Sequence, residues 1–181
     1  VERNHTDPTD WNYSYGFRLA RTSSTSTSES DPAACLTEGF CWTDVSAGHT
    51  HACGLTDEHE AICWGDDTGG KATPPSTASN YLSVGHSHSC GITTEDEIEC
   101  WGDDEEGLST PPSGRYTTVG AGRTASCAIR TDGTLTCWGY GDYGEADPPD
   151  GYFTNIGVGQ WHSCAVTVAG SVECWGYDHY G

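Results

Sequence analysis

The residues with the most chemistry in them are the ten cysteines. Eight fall in four pairs, each pair ten residues apart: Cys53 and Cys63, Cys90 and Cys100, Cys127 and Cys137, Cys164 and Cys174. Thiols can form disulfides or bind zinc. Zinc sites usually place cysteines about two to four residues apart, and this chain has no Cys-x-x-Cys. The spacing therefore points to disulfides. His49-x-His51 and His86-x-His88 put two imidazoles on one face of an extended strand, the geometry of a metal clip. No carboxylate or thiol partner is fixed beside them, and the matching position further along is Ala125. A structural role for these histidines outweighs a metal site. Asp66-Asp67 and Asp103-Asp104 offer hard oxygen ligands suited to calcium. The corresponding later pairs are Tyr140-Gly141 and Tyr177-Asp178, so solvated acidic loops are the simpler reading. No Gly-x-Ser-x-Gly, phosphate loop or His-Glu-x-x-His occurs, and no catalytic residue, metal or cofactor is expected.

These residues sit on a repeat. Cys-Trp-Gly recurs at 63–65, 100–102, 137–139 and 174–176, a period of 37. Gly48, Gly85, Gly122 and Gly159 share the register, and Pro-Pro follows at 74–75, 111–112 and 148–149. Each copy reads as a hairpin. Pairing Cys53 with Cys63 opposes Gly54 to Ile62, Leu55 to Ala61 and Thr56 to Glu60, leaving a loop of 57–59. Alternation then puts Cys53, Leu55, Ala61 and Cys63 on one face. The equivalents Ile92 with Ile98, Ile129 with Leu135 and Val166 with Val172 are all apolar. The third loop residue requires positive φ; it is His59, Asp96, Gly133 and Gly170. On the opposite face Trp64, Trp101, Trp138 and Trp175 stand across from Ala52, Ser89, Ser126 and Ser163, which leave room for an indole. Both faces of every hairpin are thus built to pack.

Directly opposed strand residues have Cα atoms about 4.5–5.5 Å apart, within reach of a disulfide. Four hairpin disulfides follow: Cys53–Cys63, Cys90–Cys100, Cys127–Cys137 and Cys164–Cys174. Cys35 and Cys41, outside the register, are expected to pair locally as a cap. Such usage belongs to an oxidising compartment, extracellular, periplasmic or at the cell surface.

The chain has 181 residues, 34% of them apolar, with 24 glycines and no methionine. A helical bundle does not fit that composition. The formal charge is −20, from 27 acids and 7 bases. Residues 1–21 are neutral, with Glu2, Asp7 and Asp10 against Arg3, Arg18 and Arg21. So acidic a body does not attract nucleic acid or an anionic membrane, and no apolar run is long enough to span a bilayer.

Gly-His-Thr-His-Ala-Cys-Gly-Leu at 48–55, Gly-His-Ser-His-Ser-Cys-Gly-Ile at 85–92, Gly-Arg-Thr-Ala-Ser-Cys-Ala-Ile at 122–129 and Gly-Gln-Trp-His-Ser-Cys-Ala-Val at 159–166 resemble RCC1-type repeats. The likeness covers about residues 45–181. It implies an all-β fold, a partial β-propeller of about four blades at 45–81, 82–118, 119–155 and 156–181. Propellers of this family typically have seven blades, so a fragment is expected, or self-association to complete the ring. The paired cysteines and acidity argue against the chromatin role of nuclear relatives. Arg3-Asn4, Pro8 and Gly16-Phe17-Arg18-Leu19-Ala20-Arg21 resemble the end of a formylglycine-generating (sulfatase-modifying) domain, whose reactive cysteines would lie upstream. Residues 22–31 are a Ser/Thr-rich linker, and 22–44 join the two parts.

The expected function is a non-enzymatic protein-binding module with an unidentified protein ligand. The alternative is the targeting appendage of a formylglycine-generating-type enzyme. Loops 66–73, 103–110 and 140–147 are the expected binding face, with Tyr140 and Tyr143 as anchors, since Tyr is enriched at interface hot spots.

Overall fold

The computed structural model describes residues 40–178. The claims on residues 1–21, on the linker and on Cys35 lie outside them. The described strands form four three-stranded antiparallel sheets. Blade 1 holds β1 (Trp42–Ala47), β2 (His51–Thr56) and β3 (Ala61–Gly65). Blade 2 holds β4 (Ser79–Val84), β5 (His88–Thr93) and β6 (Ile98–Gly102). Blade 3 holds β7 (Tyr116–Ala121), β8 (Ala125–Arg130) and β9 (Leu135–Gly139). Blade 4 holds β10 (Phe153–Val158), β11 (His162–Thr167) and β12 (Val172–Gly176). Together they are part of a β-propeller whose ring is not closed.

The hairpin register is the expected one, with Cys53 opposite Cys63, Leu55 opposite Ala61 and Ala52 opposite Trp64. The Thr56 amide donates to Glu60 O at 3.0 Å, and the His59 amide to Thr56 O at 3.0 Å, closing the three-residue loop. Its third residue has positive φ in every blade: His59 65°, Asp96 63°, Gly133 89° and Gly170 85°. From that closing pair the ladder alternates, so each cysteine pair occupies a non-hydrogen-bonded site, where opposed residues approach closest. All four hairpin disulfides are present, each with Cα atoms 4.0 Å apart.

Blades stack by laying the disulfide face of one against the tryptophan face of the next. Cys53, Leu55, Ala61 and Cys63 meet Leu82, Val84 and Trp101. Cys90, Ile92, Ile98 and Cys100 meet Val119, Ala121, Ala128 and Trp138. Ile129 and Leu135 meet Phe153, Ile156, Ala165 and Trp175. Each apolar contact set is small, and hydrogen bonds flank it. The Ser79, Tyr116 and Phe153 amides each donate to the positive-φ hairpin residue of the preceding blade, His59 O, Asp96 O and Gly133 O, at 2.8 Å. In a repeat array such neighbour contacts carry the stability.

Candidate binding face

Each blade has two ends. The β2–β3 loops, such as 57–59 and 131–133, lie at one. The tight turns before β2, β5, β8 and β11 lie at the other, joined there by the long connections that leave each blade. Asp66 N to Thr50 O (2.9 Å), Asp103 N to Ser87 O (3.0 Å), Tyr140 N to Thr124 O (2.8 Å) and Tyr177 N to Trp161 O (2.8 Å) tie connection to turn. Loops 66–73, 103–110 and 140–147 therefore share one face with the turns.

The repeated tryptophan holds these loops down. Trp101 Nε1 donates to Lys71 O at 3.0 Å, Trp138 Nε1 to Leu108 O at 3.0 Å and Trp175 Nε1 to Glu145 O at 3.1 Å. Each loop is clamped by the indole of the blade that follows it. Lys71, Leu108 and Glu145 are buried at these clamps, and their side chains meet different needs. Lys71 Nζ reaches Asp66 Oδ2 at 2.8 Å, which holds the Asp66 carboxyl well below the usual carboxylate range. Leu108 is apolar. Glu145 Oε2 accepts from the Tyr143 amide at 2.9 Å, and Oε1 lies 3.1 Å from Thr124 Oγ1. A buried carboxylate thus fixes the loop that carries Tyr143.

Successive turns meet through backbone. The His49 amide donates to Gly85 O (3.3 Å), the His86 amide to Gly122 O (3.1 Å) and the Arg123 amide to Gly159 O (3.3 Å). A Cβ on Gly48, Gly85 or Gly122 would run into the neighbouring blade's glycine carbonyl, which is why glycine recurs there. The residues just after Gly48, Gly85, Gly122 and Gly159, namely His49, His86, Arg123 and Gln160, line a shallow groove of about 190 Å³ across all four blades. The His49 and His86 rings stack at 4.3 Å. Burial, then the neighbouring His49 and Arg123, push the His86 imidazole below its ordinary value, so it is neutral at neutral pH.

Beside the groove opens a cavity of about 410 Å³, lined by residues including His86, Arg123, Asp103, Glu105, Glu106 and Tyr140. The Tyr140 hydroxyl donates to Asp142 Oδ2, which pushes the phenol up to about 12. Tyr143 is 53% exposed. It meets Tyr177 edge to face at 5.0 Å, and Tyr177 meets Trp161 at 5.8 Å. The Arg123 guanidinium lies 5.8 Å from the Trp161 ring centroid. The two tyrosines singled out from sequence are therefore on the same face but do different things: Tyr140 walls the cavity, and Tyr143 opens an exposed aromatic strip. Trp161 and Tyr177 were not anticipated.

The metal-clip geometry is not formed. His49 lies in the turn and His51 starts β2, so the two rings part company. His51 is fully buried, with Nε2 2.7 Å from Ser89 Oγ. Asp66 and Asp67 spend their oxygens on Thr68, Lys71, Ala72 and Thr73 of their own loop. No group of three or more His, Cys, Asp or Glu among the described residues is arranged to hold a metal ion.

The family model for the regulator of chromosome condensation (RCC1) repeat matches residues 42–70 and 116–145. The match falls on blade 1 and on blade 3, so RCC1-type repeats stand at two places in this chain. Among solved structures it is similar to the CRINKLY WD40 ectodomain of the Arabidopsis thaliana receptor kinase ACR4, at 28% identity and TM-score 0.63, over 75% of this chain and 49% of that one. The ectodomain of the Physcomitrella patens receptor kinase CR4 gives 26% and 0.65, over 75% and 38%. Prp20p of Saccharomyces cerevisiae gives 17% and 0.68, over 77% and 46%, a likeness of fold alone. The chain thus spans less than half the length of each of these. No curated protein sequence matches it.

Blades 1 and 2 are each latched to the blade that follows by a buried His–Ser pair. His51 Nε2 meets Ser89 Oγ, and His88 Nε2 meets Ser126 Oγ, each at 2.7 Å. Ser89 Oγ also donates to Lys71 O at 3.3 Å, so its proton is used and His51 Nε2–H is the donor of the latch. Nδ1 of both rings is buried without a partner. A bare lone pair there is tolerable; a proton is not. Burial holds both imidazoles down at about 4, with Lys71 adding to the effect at His51 and the His51 charge at His88. In blade 3 Ala125 replaces the histidine, and Ser163 lies 3.9 Å from Cys127 Sγ instead. His162, the next latch residue, is exposed. No helix of the described residues is long and apolar enough to cross a membrane.

Proposed function

We propose that this chain is a non-enzymatic protein-binding module, part of a secreted or cell-surface propeller, and that it binds through the face of turns and loops. The observation that carries this is the contiguous strip of Tyr143, Tyr177 and Trp161, exposed by 53%, 36% and 41%. Exposed aromatics beside an arginine are the usual anchors of protein interfaces. Four disulfides support an oxidising compartment, and the similarity to a receptor-kinase ectodomain agrees with a place outside the cell. The exposed His162 supports further blades on the disulfide face of blade 4, since its equivalents His51 and His88 are wholly buried.

The test compares partner capture by the oxidised chain and three variants. Tyr143→Ala and Trp161→Ala keep the fold and lose the partner. Asp132→Asn, on the opposite face, keeps it. Equal capture by all three variants overturns the assignment of the face.

A further inference from the structure

The cavity beside the groove is lined by groups of both charges. Asp103, Glu105 and Glu106 come from the loop leaving blade 2. Arg123 and His86 come from the turns of blades 3 and 2. Leu108, buried, and the Tyr140 side chain lie among the remaining lining residues. Its volume is about 410 Å³, at the small end of ligand pockets.

Blade 1 shows what such an acidic loop takes. Asp66, the counterpart of Asp103, receives Lys71 Nζ at 2.8 Å. In blade 2 the residue at the lysine position is Leu108. Among the described residues no ion pair reaches Asp103, Glu105 or Glu106. The fold thus builds the same loop twice and supplies the cation once. The lining also holds a positive charge without an ion-pair partner among the described residues. The Arg123 guanidinium lies near the Trp161 ring and has no carboxylate within ion-pair distance among the described residues.

We propose that this cavity receives two oppositely charged groups of one partner segment: a guanidinium or ammonium at Asp103, Glu105 and Glu106, and a carboxylate at Arg123 and His86. The alkyl stem of the basic side chain lies on Leu108 and Tyr140, as long cationic side chains lie on apolar surface. The carboxylate is met by the forked donor of Arg123. The neutral His86 ring lines the cavity with it. The inference rests on the protein-binding reading and names the chemistry of the partner.

The experiment uses three probes on the oxidised chain, followed by amide chemical shifts: N-acetylarginine, which carries both groups, N-acetylagmatine, which carries only the guanidinium, and N-acetylnorvaline, which carries only the carboxylate. N-acetylarginine is expected to bind at least about tenfold more tightly than either half-probe, with shifts at Glu105, Glu106, Arg123 and Tyr140. Glu105→Gln with Glu106→Gln removes its advantage over N-acetylnorvaline. Arg123→Gln removes its advantage over N-acetylagmatine. Leu108→Lys supplies the internal cation seen in blade 1 and abolishes N-acetylagmatine binding. Equal affinity for all three probes, shifts away from the cavity, or no saturation overturns the inference. Failure here, with partner capture still lost in Tyr143→Ala, leaves the binding face standing. Probe binding with capture unaffected by Tyr143→Ala removes the face and keeps the cavity.

Discussion

Acid should unlatch the blades, and His88 is where the effect is best isolated. Its ring is fully buried, Nε2 is bonded to Ser126 Oγ at 2.7 Å, and Nδ1 has no partner. Burial lowers it from 6.5 to about 4 in the folded chain. A lowered value means the folded state binds its proton later than the unfolded state. The stabilisation is complete above about pH 6.5, shrinks as pH falls, and is exhausted below about pH 4. At a pH of about 4.5 the unfolded imidazole is almost wholly protonated and the folded one mostly neutral, a loss on the order of 2.5 kcal/mol relative to neutral pH. His51 acts in the same direction. The assay is urea unfolding, followed by tryptophan fluorescence, at a series of pH values for wild type and His88→Gln. Glutamine can still reach Ser126 but does not titrate. The many carboxylates titrate in both proteins and cancel in the difference. Wild type should start more stable, and the gap should narrow by about 2–3 kcal/mol on going from about pH 7 to about pH 4.5. Parallel curves across that window would refute the buried, neutral latch.

Three further outcomes follow from the packing. Replacing Cys90 and Cys100 by Ser opens a loop of ten-residue separation and should cost about 2–3 kcal/mol, read as a lower melting temperature; an unchanged melt would deny the bond a stabilising role. Gly85→Ala pushes a methyl into Gly122 O, whereas Gly157→Ala meets nothing within 4 Å, so the first should destabilise by about 2 kcal/mol or more and the second by less than about 0.5 kcal/mol in urea titration. Trp138→Phe leaves Leu108 O without its 3.0 Å indole donor and should cost about 1–3 kcal/mol, with faster amide exchange in 103–110; unchanged exchange there would mean that the indole does not clamp the loop.

The hairpins were legible because two local rules agree. Cysteine pairs ten apart fix the register, and alternation then sorts Leu55 and Ala61 to the disulfide face and Trp64 to the other. The positive φ of His59 and Asp96 follows from loop length, even without glycine. What lies between blades was hidden. Sequence shows that both faces pack but not which face meets which, so the His51–Ser89 latch, a contact across 38 residues, leaves no local mark. Lys71, Leu108 and Glu145 share a register position while differing in charge, because the tryptophan uses only their carbonyl. Placing His49 and His51 on one strand face carried alternation into a turn: β2 begins at His51, so His49 precedes the strand, and the structural role favoured from sequence holds for His51 through its bond to Ser89. The row of His49, His86, Arg123 and Gln160 could have been found by reading the 37-residue register alone.

A footprint of the bound partner would locate the binding face. Amide hydrogen exchange of the oxidised chain should be measured with and without a captured partner. Protection is expected at 85–87, 122–124 and 140–147 and none at the hairpin loops 57–59, 94–96 and 131–133. Protection confined to those hairpin loops would contradict it.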